Sequence, residues 1–290
     1  MLRISVIVTT YQRPGALERV LASLAAQDVL PAEVIVADDG SGPETMALVQ
    51  AWQGRMKCPL IHVWQEDVGF RAAGARNRAV AASSGEYLVF LDGDCLVFPD
   101  FIQRHQALAE KGFMVMGSRI LCSPELTERI ENGVAVPLDW GLMDWLSARW
   151  RNQVNRLFPL LRLPDHAWRK RRALRWRGVR TFNLAIWYHE FEQVNGFDEA
   201  FQGWGHEDAD LAVRLIRLGV RRKDGQFALP VLHLWHRESD RGRENENMRR
   251  LEERLQNGQV RAVAGLDQYP GTAGERGEIQ HCSSSDAAVT

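Results

Sequence analysis

Apolar and polar residues fall along this chain in blocks whose period keeps changing. Ile4 to Thr9 is an unbroken apolar, β-branched run, as expected of a strand buried on both faces of a parallel sheet. Pro14 then stands where a first helical turn tolerates it, and Leu17, Val20, Leu21 and Leu24 recur at helical spacing. Val34 to Ala37 repeats the strand signal and stops at the turn-rich acidic string Asp38-Asp39-Gly40-Ser41-Gly42. A second helix is predicted over Glu44 to Trp52, a third short strand over Leu60 to Trp64, and an alanine-rich helix over Ala72 to Ala82 despite Gly74. Tyr87 to Leu91 is the next strand, and the chain meets Asp92 at its end. Alternation at this pitch implies right-handed crossovers and a mainly parallel sheet. Asp39 and Asp92 then share one carboxyl edge, where an open α/β sheet binds its ligand.

After Phe113 to Gly117 the pattern changes. Leu142, Leu146, Trp150, Val154, Leu157 and Leu161 fall on one helical face, and Pro159 and Pro164 break the run. Regularity resumes with a strand over Thr181 to Trp187, a helix carrying Leu211, Leu215 and Leu218, and a strand over Phe227 to Leu234. The implied layout is one α/β domain over residues 1–240 with a helical basic insert at 140–180, then a C-terminal helix over 241–265. Residues 266–290, rich in Gly, Ser, Glu and Ala, read as a disordered tail.

With 45% hydrophobic residues in 290, the chain has ample material for a sizeable core. A formal charge of -1 argues against a nucleic-acid partner. Cys58, Cys95, Cys122 and Cys282 form no CxxC pair, so neither a zinc knuckle nor a disulfide framework is suggested, and a reducing compartment fits best. The N-terminal apolar run is too short for a signal sequence, and no run approaches the roughly 20 residues of a spanning helix. A cytoplasmic location is expected, with peripheral contact at the inner face of a membrane as its extension.

Local charge supplies the reason for that extension. From Arg149 to Arg180 there are ten Arg and one Lys against the single acid Asp165, and six of the ten Trp fall between Trp140 and Trp187. A helix with this composition suits an anionic membrane surface, where each Lys or Arg contributes ~1 kcal/mol. It equally suits a helical lid whose arginines snorkel over the protein's own core.

Two acidic clusters carry the candidate chemistry. Asp92-Gly93-Asp94 ends a strand, and Glu207-Asp208 opens a helix. Together with Ser5-Val6-Ile7-Val8-Thr9-Thr10-Tyr11, Val36-Ala37-Asp38-Asp39-Gly40-Ser41 and Gly74-Ala75-Arg76-Asn77, in this order and each at the end of an element, they resemble the family 2 glycosyltransferases of GT-A fold over roughly residues 2–240. The string Trp204-Gly205-His206-Glu207-Asp208 resembles the acid motif of the β-1,4-galactosyltransferase C-terminal region.

That resemblance implies a nucleotide diphosphate-sugar donor and a Mn²⁺ or Mg²⁺ ion held by hard oxygen ligands. Asp94 becomes the metal carboxylate, and Asp92 turns toward the ribose or a metal-bound water. Thr9, Tyr11 and Asp39 would surround the base, Asp39 accepting from an imide N–H such as uracil or thymine offers. Arg71 and Arg76 would neutralise phosphate, the alternative for each being a solvated surface arginine. Asp208 is assigned as the base that deprotonates the acceptor hydroxyl and Glu207 as a hydrogen-bonding partner of acceptor or donor sugar, although spacing does not settle which acid does which. Trp204 and Asn183 are assigned to the acceptor or sugar. His236 would complete the metal site; alternation sends His233 to the opposite face unless the strand ends between them.

The implied reaction is inverting, metal-dependent transfer of a sugar, from UDP or dTDP by preference, to a saccharide or glycolipid in bacterial envelope polysaccharide or lipopolysaccharide synthesis. A sugar-nucleotide nucleotidyltransferase is the second enzyme class, but Thr9-Thr10-Tyr11-Gln12-Arg13-Pro14 lacks the Gly-rich basic loop such enzymes use. A non-catalytic membrane-surface scaffold on a transferase fold is the third reading. No GxGxxG follows the first strand, which argues against a dehydrogenase.

Overall fold

The structure is a computed structural model that describes residues 2–237 and 240–269. Its first half runs β1 (Ile4–Thr10), α1 (Pro14–Ala25), β2 (Glu33–Asp38), α2 (Pro43–Gln53), β3 (Leu60–Trp64), α3 (Ala72–Ala81) and β4 (Tyr87–Asp92), the alternation the periodicity predicts. Then come β5 (Cys95–Val97), α4 (Phe101–Leu108), β6 (Phe113–Met116), β7 (Ser118–Leu121), α5 (Pro124–Glu131) and α6 (Leu142–Trp150). Beyond the basic stretch follow β8 (Asn183–Trp187), α7 (Tyr188–Gln193), α8 (Glu207–Leu218), β9 (Arg221–Asp224), β10 (Pro230–His233) and α9 (Glu244–Asn257).

Seven strands form the main sheet in the order β3-β2-β1-β4-β8-β6-β9. All neighbouring pairs are parallel except those of β8, which runs antiparallel to β4 and β6. Every residue of β2 is buried, and every residue of β4 but the last, which is why these segments read as continuous apolar runs rather than alternating ones. The strand order steps back between β1 and β4, so their carboxyl ends form a switch point with Thr10 opposite Asp38 on one side and Thr9 opposite Asp92 on the other. A second sheet, β5-β10-β7, lies beyond that edge, with β10 antiparallel to β5 and parallel to β7. Strands of three or four residues carry too little period to be read from sequence, and this sheet was not expected.

Three expectations need correction. The helical face expected from Leu142 to Leu161 ends after nine residues at Trp150, because Asn152 takes a left-handed φ of 54° and Val154 bridges to Cys122. The buried side of α6 is Trp145 and Ala148, while Leu142, Leu146 and Trp150 are 73%, 46% and 89% exposed. Part of the basic charge is internal: Arg169, 1% exposed, donates to the carbonyls of Leu163, Pro164, Asp224 and Gln226. The strand expected from Phe227 shortens to Pro230–His233, since Phe227 has a positive φ and the Ala228 and Leu229 amides turn back to the Gly225 carbonyl.

The C-terminal helix α9 packs on α8, where Leu251 joins Phe201, Ala209 and Val213, and Arg254 pairs with Asp198 and Asp210. Of the segment expected to be disordered, Leu266–Gln268 forms a 3-10 turn tied to Asn195, and residues 270–290 lie outside the described residues. Among the described residues no helix is long and apolar enough to cross a membrane.

Candidate active site

Arg76 joins the two acidic clusters. It projects from α3 at the switch point and is 5% exposed, which corrects the alternative of a solvated surface arginine. Its Nε donates to Thr9 Oγ1 at 3.0 Å, one Nη faces Asp92 Oδ1 at 3.5 Å, and the other faces Glu207 Oε1 at 3.3 Å. The next residue fixes the helix that carries it. Asn77 Nδ2 donates to the Phe197 carbonyl and to Glu199, and Asn77 Oδ1 accepts from the Phe197 amide, all at 2.9 Å. One amide side chain thereby locks α3 to the segment that leads into α8.

That segment reaches α8 through backbone few residues tolerate. Gly203, Gly205 and His206 have φ of 77°, 101° and 75°; glycine adopts this region freely, whereas His206 does so at a cost of about 1 kcal/mol. The turn delivers Glu207 and Asp208 into the first turn of the helix, where the unsatisfied amides favour negative charge.

Three buried or half-buried acids around one cation cannot all keep their ordinary acidity. Burial, reinforced by Asp208, pushes Glu207 up to about 7 against the pull of Arg76. Burial likewise pushes Asp92 up to about 6, with Arg76 opposing and Asp94 and Glu207 adding to the rise. Asp208 is raised too, chiefly by burial, and Arg76 and Arg180 hold it back. Burial would lower Arg76, but Asp208, Asp92 and Glu207 together hold it above the usual arginine value. Glu207 spends an oxygen on Arg76, whereas Asp208 Oδ1 is buried with no hydrogen-bond partner among the described residues. An unpartnered buried carboxylate oxygen is costly unless a ligand hydroxyl meets it.

Asp94, 9% exposed, is the centre of the second group. His233 Nε2 approaches its Oδ1 and His236 Nε2 its Oδ2, each at 3.5 Å. The strand β10 ends at His233, so the alternation that would send the two imidazoles apart no longer applies to His236. Sequence reasoning named His236 for this site and left His233 undecided between the two faces; it missed Cys95, whose Sγ donates to Asp94 Oδ1 at 3.7 Å. The ligand atoms of Asp92, Asp94, Cys95 and His233 all lie within 4.8 Å of one another, and this donor set suits a divalent cation. Burial holds His233 below the ordinary histidine range, against the pull of Asp94, leaving it in the neutral form that binds metal. Arg13, also missed, donates to Asp94 Oδ2 and to Glu131 Oε1, both at 2.9 Å.

Around Asp39 the sequence assignments hold together less evenly. Asp39 is buried and accepts from the Arg71 amide at 2.8 Å and from Gln65 at 2.5 Å, while burial holds its carboxyl above the usual range. Arg71 contributes that amide; its guanidinium turns to the Glu66 carbonyl at 2.6 Å. Gly40 has a φ of 99°, and a Cβ there would stand 2.6 Å from Asp67 Cα, so only glycine lets the two loops touch. Tyr11 is 47% exposed with its hydroxyl on Asp67 Oδ2 at 3.0 Å, which leaves a ring face available beside Asp39. Trp204 carries the Arg241 guanidinium 4.5 Å from its ring centroid. Asn183 is not available to a sugar: it is fully buried, its Nδ2 donates to the Leu229 carbonyl at 2.9 Å, and its Oδ1 faces His105 Nε2 at 3.2 Å.

Known proteins resemble this chain in sequence and in fold. The profile described as glycosyl transferase family 2 matches residues 5–162, and one described as the N-terminal domain of galactosyltransferase matches residues 165–236. Validoxylamine A glucosyltransferase of Streptomyces hygroscopicus subsp. limoneus is 32% identical over 233 residues, covering 75% of this chain and 48% of that protein. Hyaluronan synthase of Pasteurella multocida is 29% identical over 269 residues, covering 85% of this chain and 25% of that protein. The chain thus spans about half of the first relative's length and a quarter of the second's. The structure of S. aureus TarS in complex with UDP-GlcNAc superposes with a TM-score of 0.59 at 15% identity over 92% of this chain and 69% of that one, a likeness of fold. Since the first profile spans more than half of the residues and its motifs converge on the sheet's switch point, the chain belongs to glycosyl transferase family 2 and has the GT-A fold.

Proposed function

We propose that this chain transfers a sugar from a nucleotide diphosphate donor, UDP- or dTDP-linked by preference, to a saccharide or glycolipid acceptor with inversion and with help from Mn²⁺ or Mg²⁺, in bacterial envelope polysaccharide synthesis. The observation that carries it is Arg76, whose guanidinium is shared between Asp92 and Glu207 and so sets a nucleotide-side acid against the acids that start α8. The names of the relatives support this reading: one is a validoxylamine A glucosyltransferase, one a hyaluronan synthase, and TarS was solved in complex with UDP-GlcNAc.

Asp94, with His233 and His236, would hold the cation, which supplies positive charge to the departing diphosphate. Asp92 would serve the ribose or a water held by that cation, and Arg76 adds fixed positive charge beside it. Asp39 retains acceptor capacity beyond Gln65 and the Arg71 amide and takes the imide N–H of the base. Tyr11 stacks on the base and Thr9 lies beside it, while Trp204 offers its ring to the acceptor sugar. Asp208 removes the acceptor hydroxyl's proton through Oδ1, and Glu207 hydrogen-bonds acceptor or donor sugar. A carboxylate whose affinity for a proton is raised by burial is a better general base near neutral pH than a solvated one. The exposed Leu142, Leu146 and Trp150 beside the basic stretch favour a surface that meets anionic lipid carrying the acceptor.

Thermal unfolding against a panel of nucleotides tests the donor assignment. UDP with Mn²⁺ is expected to stabilise the protein by about 2.7 kcal/mol at a hundred times its dissociation constant, more than GDP, CMP or ADP does. Stabilisation by none of them, with or without Mn²⁺, would overturn the proposal.

A further inference from the structure

The antiparallel pairing of β5 with β10 places Cys95 directly opposite His233. Residues so paired share a face with Cβ atoms about 4.5–5.5 Å apart, so the thiol and the imidazole project together, and Asp94 immediately precedes Cys95 in the chain. Cys95 Sγ lies 3.7 Å from Asp94 Oδ1 and His233 Nε2 lies 3.5 Å from the same oxygen. Ligand atoms around a tetrahedral ion bonded at about 2.0–2.3 Å are separated by about 3.3–3.8 Å, so these separations match the edges of a tetrahedron. Magnesium instead asks for an octahedron of oxygens, which one thiol and one imidazole do not supply. A buried cysteine ordinarily packs as a small apolar group. Cys95 differs in having a carboxylate and an imidazole within ligand reach.

We propose that Cys95 is a metal ligand and that, with Asp94 and His233, it makes the site prefer thiophilic ions, Zn²⁺ or Cd²⁺, over the Mn²⁺ or Mg²⁺ of the proposed reaction; this rests on the reading of Asp94 as the centre of a metal site. The thiol proton leaves to solvent as the metal–sulfur bond forms. Zn²⁺ then competes with the working cation at Asp94, and cellular zinc restrains the enzyme.

The whole chain with Cys58, Cys122 and Cys282 replaced by serine, so that Cys95 is the one remaining thiol, should develop the ultraviolet charge-transfer band of a cadmium–thiolate bond on titration with Cd²⁺, saturating at one equivalent. Cys95→Ser in that chain should abolish the band and weaken Zn²⁺ at least about tenfold while changing Mn²⁺ affinity less than about threefold. His233→Ala should weaken both ions. A band that is absent from the single-thiol chain, or that survives in C95S, overturns the proposal. Should C95S fail to fold, cadmium NMR of the single-thiol chain decides: a thiolate ligand moves the resonance far downfield of an all-oxygen or nitrogen site, and its absence there refutes Cys95. Mn²⁺ binding without a cadmium–sulfur signature defeats Cys95 alone, whereas no binding of Mn²⁺, Zn²⁺ or Cd²⁺ defeats the metal site itself.

Discussion

Replacing Arg76 with Met should produce a stability loss that grows with pH. The guanidinium is 5% exposed and faces Glu207 and Asp92 at 3.3 and 3.5 Å. Opposite unit charges near 4 Å at an effective dielectric of 20 attract by about 4 kcal/mol, and removing one partner of a buried pair costs about 3–5 kcal/mol. The stranded acids escape much of that cost by taking up protons. In the wild type, Asp92 and Glu207 already sit at about 6 and about 7, above unfolded values of about 3.9 and 4.3, and loss of Arg76 moves both higher. A carboxyl raised in the folded state binds more protons folded than unfolded. Its contribution is therefore fully present below the unfolded value and lost as pH rises through the folded one. R76M should cost least near pH 5, where Asp92 and Glu207 are largely protonated and only packing and the attraction of Asp208 are lost, and about 3–5 kcal/mol near pH 8. Each extra proton contributes a slope of about 1.4 kcal/mol per pH unit between those limits. Urea denaturation of wild type and R76M at half-unit steps of pH measures this directly. A penalty that is the same at pH 5 and pH 8 would refute the claim that Arg76 balances the two acid clusters.

Asp208→Asn should lower transfer by about 10²–10⁴ while leaving UDP binding largely intact; loss of both together would assign Asp208 to structure instead. Asn77→Ala removes three hydrogen bonds at a fully buried site and should cost about 2–4 kcal/mol in the urea midpoint, and a cost under 0.5 kcal/mol would show that the clamp between α3 and Phe197 is dispensable. Exchanging Leu142, Leu146 and Trp150 together for serine should abolish co-sedimentation with anionic vesicles and leave the thermal midpoint within about 2 °C, because all three are exposed; undiminished vesicle binding would favour the lid reading of the basic stretch.

The first half of the fold was readable because its strands are buried on both faces and its helices carry an apolar stripe, signals long enough to survive without context. α6 was read too long, since the spacing of Leu142 to Leu161 continues past the point where Asn152 turns the backbone out of the helix. The acidic clusters were legible as motifs, but their connection was not: Arg76 reads like any helix-surface arginine until the sheet edge and α8 are seen to close over it. The part played by Cys95, and the face that His233 takes, were out of reach for a related reason. The meeting of these two residues depends on a three-residue strand pairing across more than a hundred residues of sequence, and nothing local announces that register. Asn183 shows the opposite failure, a polar residue beside the site that is spent on holding β8 to Leu229.

The most direct test of metal-dependent sugar transfer is turnover of a UDP-sugar by the purified protein, followed as release of UDP, in the wild type and in Asp94→Ala, with Mn²⁺ and with EDTA. The account predicts release by the wild type with Mn²⁺, loss of at least about a hundredfold in EDTA, and a similar loss in D94A that added Mn²⁺ does not restore. Equal release by wild type and D94A, undiminished by EDTA, would contradict it.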